Sequence, residues 1–151
     1  MLKKLMKNER GLTLIELLAV VVILGIIAAI AIPAIGALIQ NSRTDAHIAN
    51  AKQIANAARL VVSTNDQTII AGGITLQELQ DADYLEDIND PNGDGEYHPT
   101  STVVTITETN GNFSYQVQLA DEDNNAYILA TPLPEVDDLT RESFEAPTPA
   151  P

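Results

Sequence analysis

The sequence predicts an α+β fold in which one long N-terminal α-helix packs against a small three-stranded antiparallel β-meander. Residues 12–39 form an apolar run, and residues 40–63 continue it with helical periodicity. Strand patterns separated by turn signals follow within residues 64–140. A chain of 151 residues suffices for one membrane segment and one small globular domain.

We therefore expect five segments along the chain. They are a basic leader (1–11), a hydrophobic transmembrane and assembly helix (12–39), the amphipathic half of the same helix (40–63), a globular head (64–140) and a Pro-rich disordered tail (141–151).

The apolar run from Gly11 to Ile39 is longer than the ~20 residues that cross a bilayer as a helix. The preceding segment carries four basic residues against Glu9. Basic residues that flank an apolar span stay in the cytoplasm. These features predict a single-pass membrane segment with a cytoplasmic N-terminus, and the rest of the chain outside.

Glu16 is the only charged residue of this run after Gly11. A carboxylate within a membrane helix costs about 2.5–3.5 kcal/mol on insertion scales, so such a residue is a candidate for function. The plain alternative is a chance acid near the membrane edge, where snorkelling lowers that cost.

The stretch Gly11-Leu12-Thr13-Leu14-Ile15-Glu16-Leu17 resembles the processing signature of type IV pilins and pseudopilins. The resemblance implies that a prepilin peptidase cuts after Gly11 and that the new terminus, Leu12, is N-methylated. The family usually has Phe where this chain has Leu12. The basic leader, Glu16 as fifth residue after the cut, and Pro33 deep in the apolar run also match.

The resemblance further implies how the helix assembles, through Thr13, Glu16, Gly25 and Pro33. In the family, the glutamate pairs with the amino terminus of a neighbouring subunit. Opposite charges 4 Å apart attract by about 4 kcal/mol at an effective dielectric of 20, which offsets the burial of Glu16 only when the partner is present. We expect a continuous, bent helix in the isolated subunit, with local melting between Gly25 and Pro33 in the polymer.

A major pilin of a type IV pilus-like surface filament, for adhesion, motility or DNA uptake, is the function that this resemblance implies. The expected partners are other copies of the chain, the prepilin peptidase, the inner-membrane assembly platform and, before assembly, the membrane. Two alternatives stay open: a type II secretion pseudopilin, and a membrane-anchored calcium-binding surface domain that never polymerises. A third and minor alternative is a conventional signal peptide that is cut after Ala29-Ile30-Ala31.

Composition excludes several other functions. The net charge is −13, and removal of the +3 leader leaves −16, which disfavours direct nucleic-acid binding and suits divalent cations. The chain has no cysteine, so a metal or an adequate core must hold its C-terminal region. No nucleophile elbow, phosphate loop or paired catalytic motif is present, so we expect no enzyme activity.

Local signals outline the head. Apolar residues recur at helical spacing between Asp45 and Val62, and Thr75 with Glu78 predicts a capping box at the start of a short helix. Strands are predicted at 102–108, 113–119 and 126–130. The first two are joined by a hairpin turn at Asn110-Gly111.

An acidic loop is the best candidate for chemistry. Asp90, Asn92 and Asp94 alternate, Gly95 takes the sharp-turn position, and Glu96 would offer its backbone carbonyl, as in the first half of a calcium loop. A plain solvated turn is the equal alternative.

Two further observations bear on that loop. Its twelfth position is Ser101 rather than a bidentate Glu, so other acids would have to complete the shell: Glu86, Asp87, Asp121 or Asp123. The stretch from Asp90 to Tyr97 also resembles the Asp-Pro-x-Gly…Tyr loop of the major pseudopilins, which carry calcium in their C-terminal region.

The remaining motifs predict surface positions. His47 and His98 are the only histidines, and without cysteine they form no zinc pattern, so both are expected on the surface. Asn112-Phe113-Ser114 fits a glycosylation sequon that is most often incidental in a hairpin.

Overall fold

The computed structural model describes residues 2–64, 73–93 and 95–144, with side chains from Thr13 onward. The chain divides into two compact units, Met1–Gln40 and Asn41–Pro151. Helix α1, Leu2–Ser63, runs through both. The predicted α+β fold class is confirmed, because a three-stranded antiparallel sheet accompanies this long helix.

In the first unit α1 is continuous through Gly25 and Pro33, as predicted for the isolated subunit. Its large apolar side chains are exposed, from Leu14 at 69% to Ile32 at 70%. The portion from Thr13 is long and apolar enough to cross a membrane. From Thr13 to Gln40 the helix thus has the composition of a protein core, but its side chains are not buried.

In the second unit α1 is amphipathic, as its sequence predicts. Ala51, Ile54, Ala55 and Ala58 are fully buried, and Ile48 lies half-buried beside them. The small alanine side chains allow the rest of the head to approach the helix backbone closely.

The predicted capping box is confirmed at the start of α2, Leu76–Asp81. Thr75 Oγ1 accepts a hydrogen bond from the Glu78 backbone amide at 3.2 Å, and Glu78 Oε2 accepts one from the Thr75 amide at 2.8 Å. Two otherwise orphaned donors are thereby satisfied, and Leu76 and Leu79 are directed into the core.

The sheet contains β1 (Ile74–Thr75), β2 (Val103–Thr109) and β3 (Asn112–Gln118), in the order β1-β2-β3. The predicted hairpin turn lies between β2 and β3, where Asn110 and Gly111 both have positive φ, 54° and 82°. Such a turn matches the twist of the flanking strands.

The predicted third strand at 126–130 is wrong, and β1 occupies the edge instead. Residues 126–130 contribute one isolated bridge, Ala120↔Ala126. Side-chain amides take the place of the expected ladder, since Gln118 donates to the Ile128 carbonyl and Gln116 to the Leu133 carbonyl. The segment therefore lies beside β3 without extending the sheet, and the three antiparallel strands are β1, β2 and β3.

The core of the second unit combines α1, α2, the sheet and the C-terminal segment. Its largest fully buried side chains are Tyr97, Ile54, Ile74, Leu76, Leu79, Leu119, His47, Val61, Val104, Val117, Val136 and Thr102.

The predicted tail begins too early. Val136–Asp138 and Arg141–Phe144 form 3-10 helices, and the Ser143 carbonyl accepts hydrogen bonds from the amides of Leu129 and Ala130. The first four residues of the predicted 141–151 tail are thus tied to the head. The rest of that tail lies outside the described residues.

Candidate functional site

The predicted processing and assembly residues all lie on α1. Gly11 and Leu12 are helical, although their side chains lie outside the described residues, while Thr13, Glu16 and Pro33 are exposed. This surface is apolar and uncovered, with one carboxylate near its start.

Gly25 lies in the middle of that surface. A methyl group built on it would meet no described atom within 4 Å, apart from the neighbouring helix backbone. The position is therefore open to close approach by another helix, which is what a small residue permits.

Of the three predicted metal ligands that the structure describes in the acidic loop, one is turned inward. Asp90 is 6% exposed, whereas Asn92 and Glu96 are exposed and Asp94 lies outside the described residues. Asp90 Oδ1 accepts the Asn92 amide at 2.7 Å, and its Oδ2 accepts the Tyr127 hydroxyl. Asp90 therefore closes the loop with its own side chain, an arrangement also typical of a plain Asx turn.

A cavity of about 420 Å³ lies against this loop. It is lined by Asp90, Asn92, Gly93, Gly95, Glu96, Asp121, Glu122, Asp123 and Tyr127. The later acidic turn thus meets the acidic loop, and it does so with Asp121 and Asp123, which were named from the sequence. In the described part of the chain, no three acidic or histidine side chains lie close enough together to hold a metal ion.

His47 is buried, and its predicted surface position is wrong. It is 2% exposed, and its Nδ1 lies 2.7 Å from the hydroxyl of the equally buried Tyr97. Asn50 Nδ2 donates to the same hydroxyl at 3.1 Å. The available signal was its position one helical turn before Ala51, on the apolar stripe of α1.

The other ring nitrogen of His47 faces the acidic loop. Nε2 is 3.9 Å from Asp90 Oδ1 and has no hydrogen-bond partner among the described residues. The ring lies against Tyr127, with centroids 4.2 Å apart. His47 thus lies directly behind two residues that line the acidic cavity.

The electrostatics of this cluster follow from its burial. Burial lowers the pKa of His47, while the Asp90 carboxylate and the Asn92 side chain raise it by less, so the imidazole is held neutral. Burial also raises the pKa of Tyr97 and of Tyr127, so both phenols keep their protons.

The C-terminal segment is attached to α1 without a disulfide. Arg59 pairs with Asp137 at 2.9 Å and also lies 5.0 Å from the centroid of the Tyr115 ring, while Arg141 pairs with Asp45. Exposed ion pairs contribute little to stability. The buried Val136 and the other apolar side chains of this segment therefore contribute most of the stabilisation.

Comparison with known proteins places one motif on the chain. The family model described as the prokaryotic N-terminal methylation motif matches residues 6–32. No curated protein and no solved structure gives a significant match. The matched range contains the predicted cleavage site, Glu16 and Gly25, so the N-terminal part of this chain carries the type IV prepilin signature.

Proposed function

We propose that this protein is a major structural pilin, polymerised through α1 into a type IV pilus-like surface filament. The observation that carries the proposal is the methylation motif at residues 6–32 on a helix whose large apolar side chains are exposed from Leu14 to Ile39. A motif of this type indicates a structural protein rather than an enzyme.

Processing supplies the first step. Prepilin peptidase cleaves between Gly11 and Leu12, and Leu12 is then N-methylated. Removal of the basic leader changes the N-terminus from a strongly cationic segment to a single amine, one turn of helix from Glu16. The peptide bond to be cut lies at the start of the apolar run, where a membrane-embedded peptidase can reach it.

Assembly follows from the exposed surface of α1. Before assembly, lipid covers the apolar side chains, with the N-terminus in the cytoplasm. In the filament outside the cell, the helices of other copies take the place of lipid. Thr13 lies beside the new terminus, Gly25 lets a neighbouring helix approach closely, and Pro33 removes one backbone donor and so lowers the cost of local melting.

Glu16 selects the correct neighbour in this mechanism. Its carboxylate is unfavourable in lipid and becomes favourable beside the Leu12 ammonium of an adjacent copy. A misplaced subunit would leave the charge unpaired. The assembly platform of the inner membrane therefore delivers subunits that are stable only in register.

Glu16→Val tests this mechanism. We expect normal membrane insertion, normal cleavage after Gly11 and a loss of sheared surface fibres, measured by electron microscopy and by immunoblot of the sheared fraction. The matched control is Glu135→Val, the same substitution at an exposed acid of the head, which should leave fibre yield unchanged. Wild-type fibre yield from Glu16→Val would refute the pairing.

A second candidate, a type II secretion pseudopilin, is favoured by the acidic loop. Its resemblance to the calcium loop of the major pseudopilins is supported by the adjoining acidic cavity. Calcium takes carboxylate, carbonyl and water oxygens, which the Asn92 side chain, the Glu96 backbone carbonyl and the Asp121 carboxylate could supply there. In this proposal Asp90 orients the loop through Asn92 and Tyr127 while offering an oxygen to the ion.

Thermal unfolding of the full chain in detergent tests calcium binding. We expect a higher melting temperature in millimolar calcium than in chelator, since a ligand that binds only the folded state stabilises it. Asp121→Asn should reduce the difference, and Asp137→Asn, outside the cavity, should preserve it. Equal melting temperatures with calcium and with chelator would leave the plain turn as the explanation.

A further inference from the structure

The hairpin of β2 and β3 carries a motif that the proposed function does not use. Asn112-Phe113-Ser114 is the one place in the sequence where an asparagine is followed, after a residue other than proline, by serine or threonine. Such a sequon makes its asparagine a potential acceptor of an N-linked glycan in an exported protein. A sequon in a hairpin is most often incidental, so its meaning depends on how the fold presents Asn112.

The fold presents Asn112 at the open end of the hairpin. The residue is exposed and begins β3 directly after the turn formed by Asn110 and Gly111. A methyl group built on Gly111 would meet no atom within 4 Å beyond its chain neighbours. The turn therefore projects into open space, and a bulky group on Asn112 would not meet the packed head.

The hydroxyl of the sequon lies on the same side of the sheet as its amide. Side chains two residues apart on a strand point to one face, so Ser114 shares a face with Asn112. Thr107 and Thr109 pair directly with these two residues and belong to the same face. Glu108, the only charged residue of β2 and β3, points to the opposite face.

The surface around the acceptor is thus neutral and rich in hydroxyl groups, in a chain whose net charge is −13. Hydroxyl groups both donate and accept hydrogen bonds, as the hydroxyl groups of a sugar do. A glycan on Asn112 would therefore find hydrogen-bonding partners on this face and no carboxylate of the two strands.

The end of the hairpin can also open to admit a glycosyl transferase. Its two outermost pairs are Thr109↔Asn112 and Glu108↔Phe113, and all four side chains are exposed. The buried part of β3 begins only at Tyr115. Opening these two pairs breaks backbone hydrogen bonds but exposes no core side chain, and segments with few buried contacts open at the lowest free-energy cost.

We propose that Asn112 is the acceptor of an N-linked glycan, which is transferred from a lipid-linked pyrophosphate oligosaccharide. Asn112 Nδ2 forms a bond to the anomeric carbon of the first sugar, while the bond from that carbon to the pyrophosphate oxygen breaks. The lipid pyrophosphate leaves with the electron pair, and a base of the transferase takes the proton that Nδ2 loses. The inference rests on the proposed export of the head and does not require assembly into a fibre.

Mass spectrometry of the protein from the cells that produce it tests the site. Cleavage after glutamate releases the peptide 109–122, which contains the whole sequon. We expect this peptide to carry the added mass of a saccharide on Asn112, and we expect Asn112→Gln and Ser114→Ala to lose that mass. Ser114→Thr keeps a hydroxyl and should retain the glycan. The control Asn56→Gln, at an exposed asparagine of α1 outside any sequon, should retain it as well.

Two results would overturn the proposal. An unmodified 109–122 peptide in the wild-type chain would show that the sequon is incidental. An added mass that survives in Asn112→Gln would assign the modification to a hydroxyl group instead. Melting temperatures check that each variant is folded.

The variant Glu16→Val separates this site from the proposed filament. It should lose its fibres but keep the glycan on the membrane-bound chain, because transfer requires export of the head and not assembly. A wild-type chain that forms fibres without a glycan would overturn the modification alone and leave the filament proposal intact.

Discussion

The two compact units differ in what covers their apolar side chains. In Met1–Gln40, leucine, isoleucine and valine side chains are exposed from Leu14 to Ile39. In Asn41–Pro151, side chains such as Ile54, Val61 and Leu79 are buried against the rest of that unit. The first unit thus presents an apolar surface, which the proposed function assigns to contacts with lipid and with other copies, whereas the second is stabilised by contacts within its own chain.

The polar side chains of the two units also differ in where their partners lie. Glu16 belongs to the first unit, and the proposed function gives it a partner in another copy of the chain. His47, Asp90 and Tyr97 belong to the second unit and find theirs within the head. Mutations in the two units should therefore report on different properties, assembly in one and stability in the other.

The largest effect should come from opening the core of the second unit. Ile54 is fully buried, and Ile54→Ala should lower the free energy of unfolding by about 2–5 kcal/mol, through lost burial and the cavity left behind. Ile30→Ala makes the same change in the first unit, where the side chain is 69% exposed, and should leave head stability unchanged. Chemical denaturation of both variants in detergent measures the contrast. Equal losses in the free energy of unfolding would show that apolar side chains of the two units contribute alike to the stability of the head.

A smaller effect should follow from removing one hydroxyl of the buried cluster. Tyr97→Phe leaves His47 Nδ1 and the Asn50 amide without their shared partner, which should cost about 1–3 kcal/mol. The matched change Tyr84→Phe removes an exposed hydroxyl that contacts Thr64, and should cost less than about 0.5 kcal/mol. If both variants have the same melting temperature, the Tyr97 hydroxyl contributes no more to stability than a surface contact does.

The pH dependence of head stability should be smaller still, and its sign follows from His47. Because burial lowers the pKa of His47 below 6.5, the unfolded state binds more protons than the folded state at mildly acidic pH. Stability is then full above about pH 6.5 and declines as the pH falls below that value.

The carboxylates whose pKa is lowered, Asp45, Glu78 and Asp121, titrate at more acidic pH than this decline, which we therefore assign to His47. Melting temperatures at pH 7.5 and 5.5 measure the decline. His47→Gln should flatten it, whereas His98→Gln should retain it. A decline that persists unchanged without His47 would assign the dependence to another group.

Local chemistry determined which features could be predicted. The apolar run, the Thr75 capping box and the Asn110-Gly111 turn each depend on residues within a few positions of one another, and each was predicted correctly. The processing motif is equally local, which explains why its match extends over residues 6–32 alone.

The features that could not be predicted depend on contacts between distant residues. β1 has two residues, too few for any alternation, and is a strand only because it pairs with Val103 and Val104. The segment at 126–130 has the pattern of a strand, but the Gln116 and Gln118 side chains hold that segment and its continuation in place of a backbone ladder.

The same limit applies to the candidate sites. His47 was expected on the surface because no neighbouring residue in the sequence indicates that Tyr97 will meet its ring, 50 positions away. Arg141 was assigned to the tail because its partner, Asp45, lies 96 positions earlier in the chain. In both cases a polar side chain found its partner through the fold.

Mass spectrometry of the protein in fibres sheared from the cell surface tests the central claim most directly, because processing and assembly are measured in one sample. We predict a chain that begins at Leu12, carries one added methyl group on its amino terminus and lacks the residues up to Gly11. A chain that still begins at Met1, found only in the membrane fraction of cells without fibres, would contradict the proposed role.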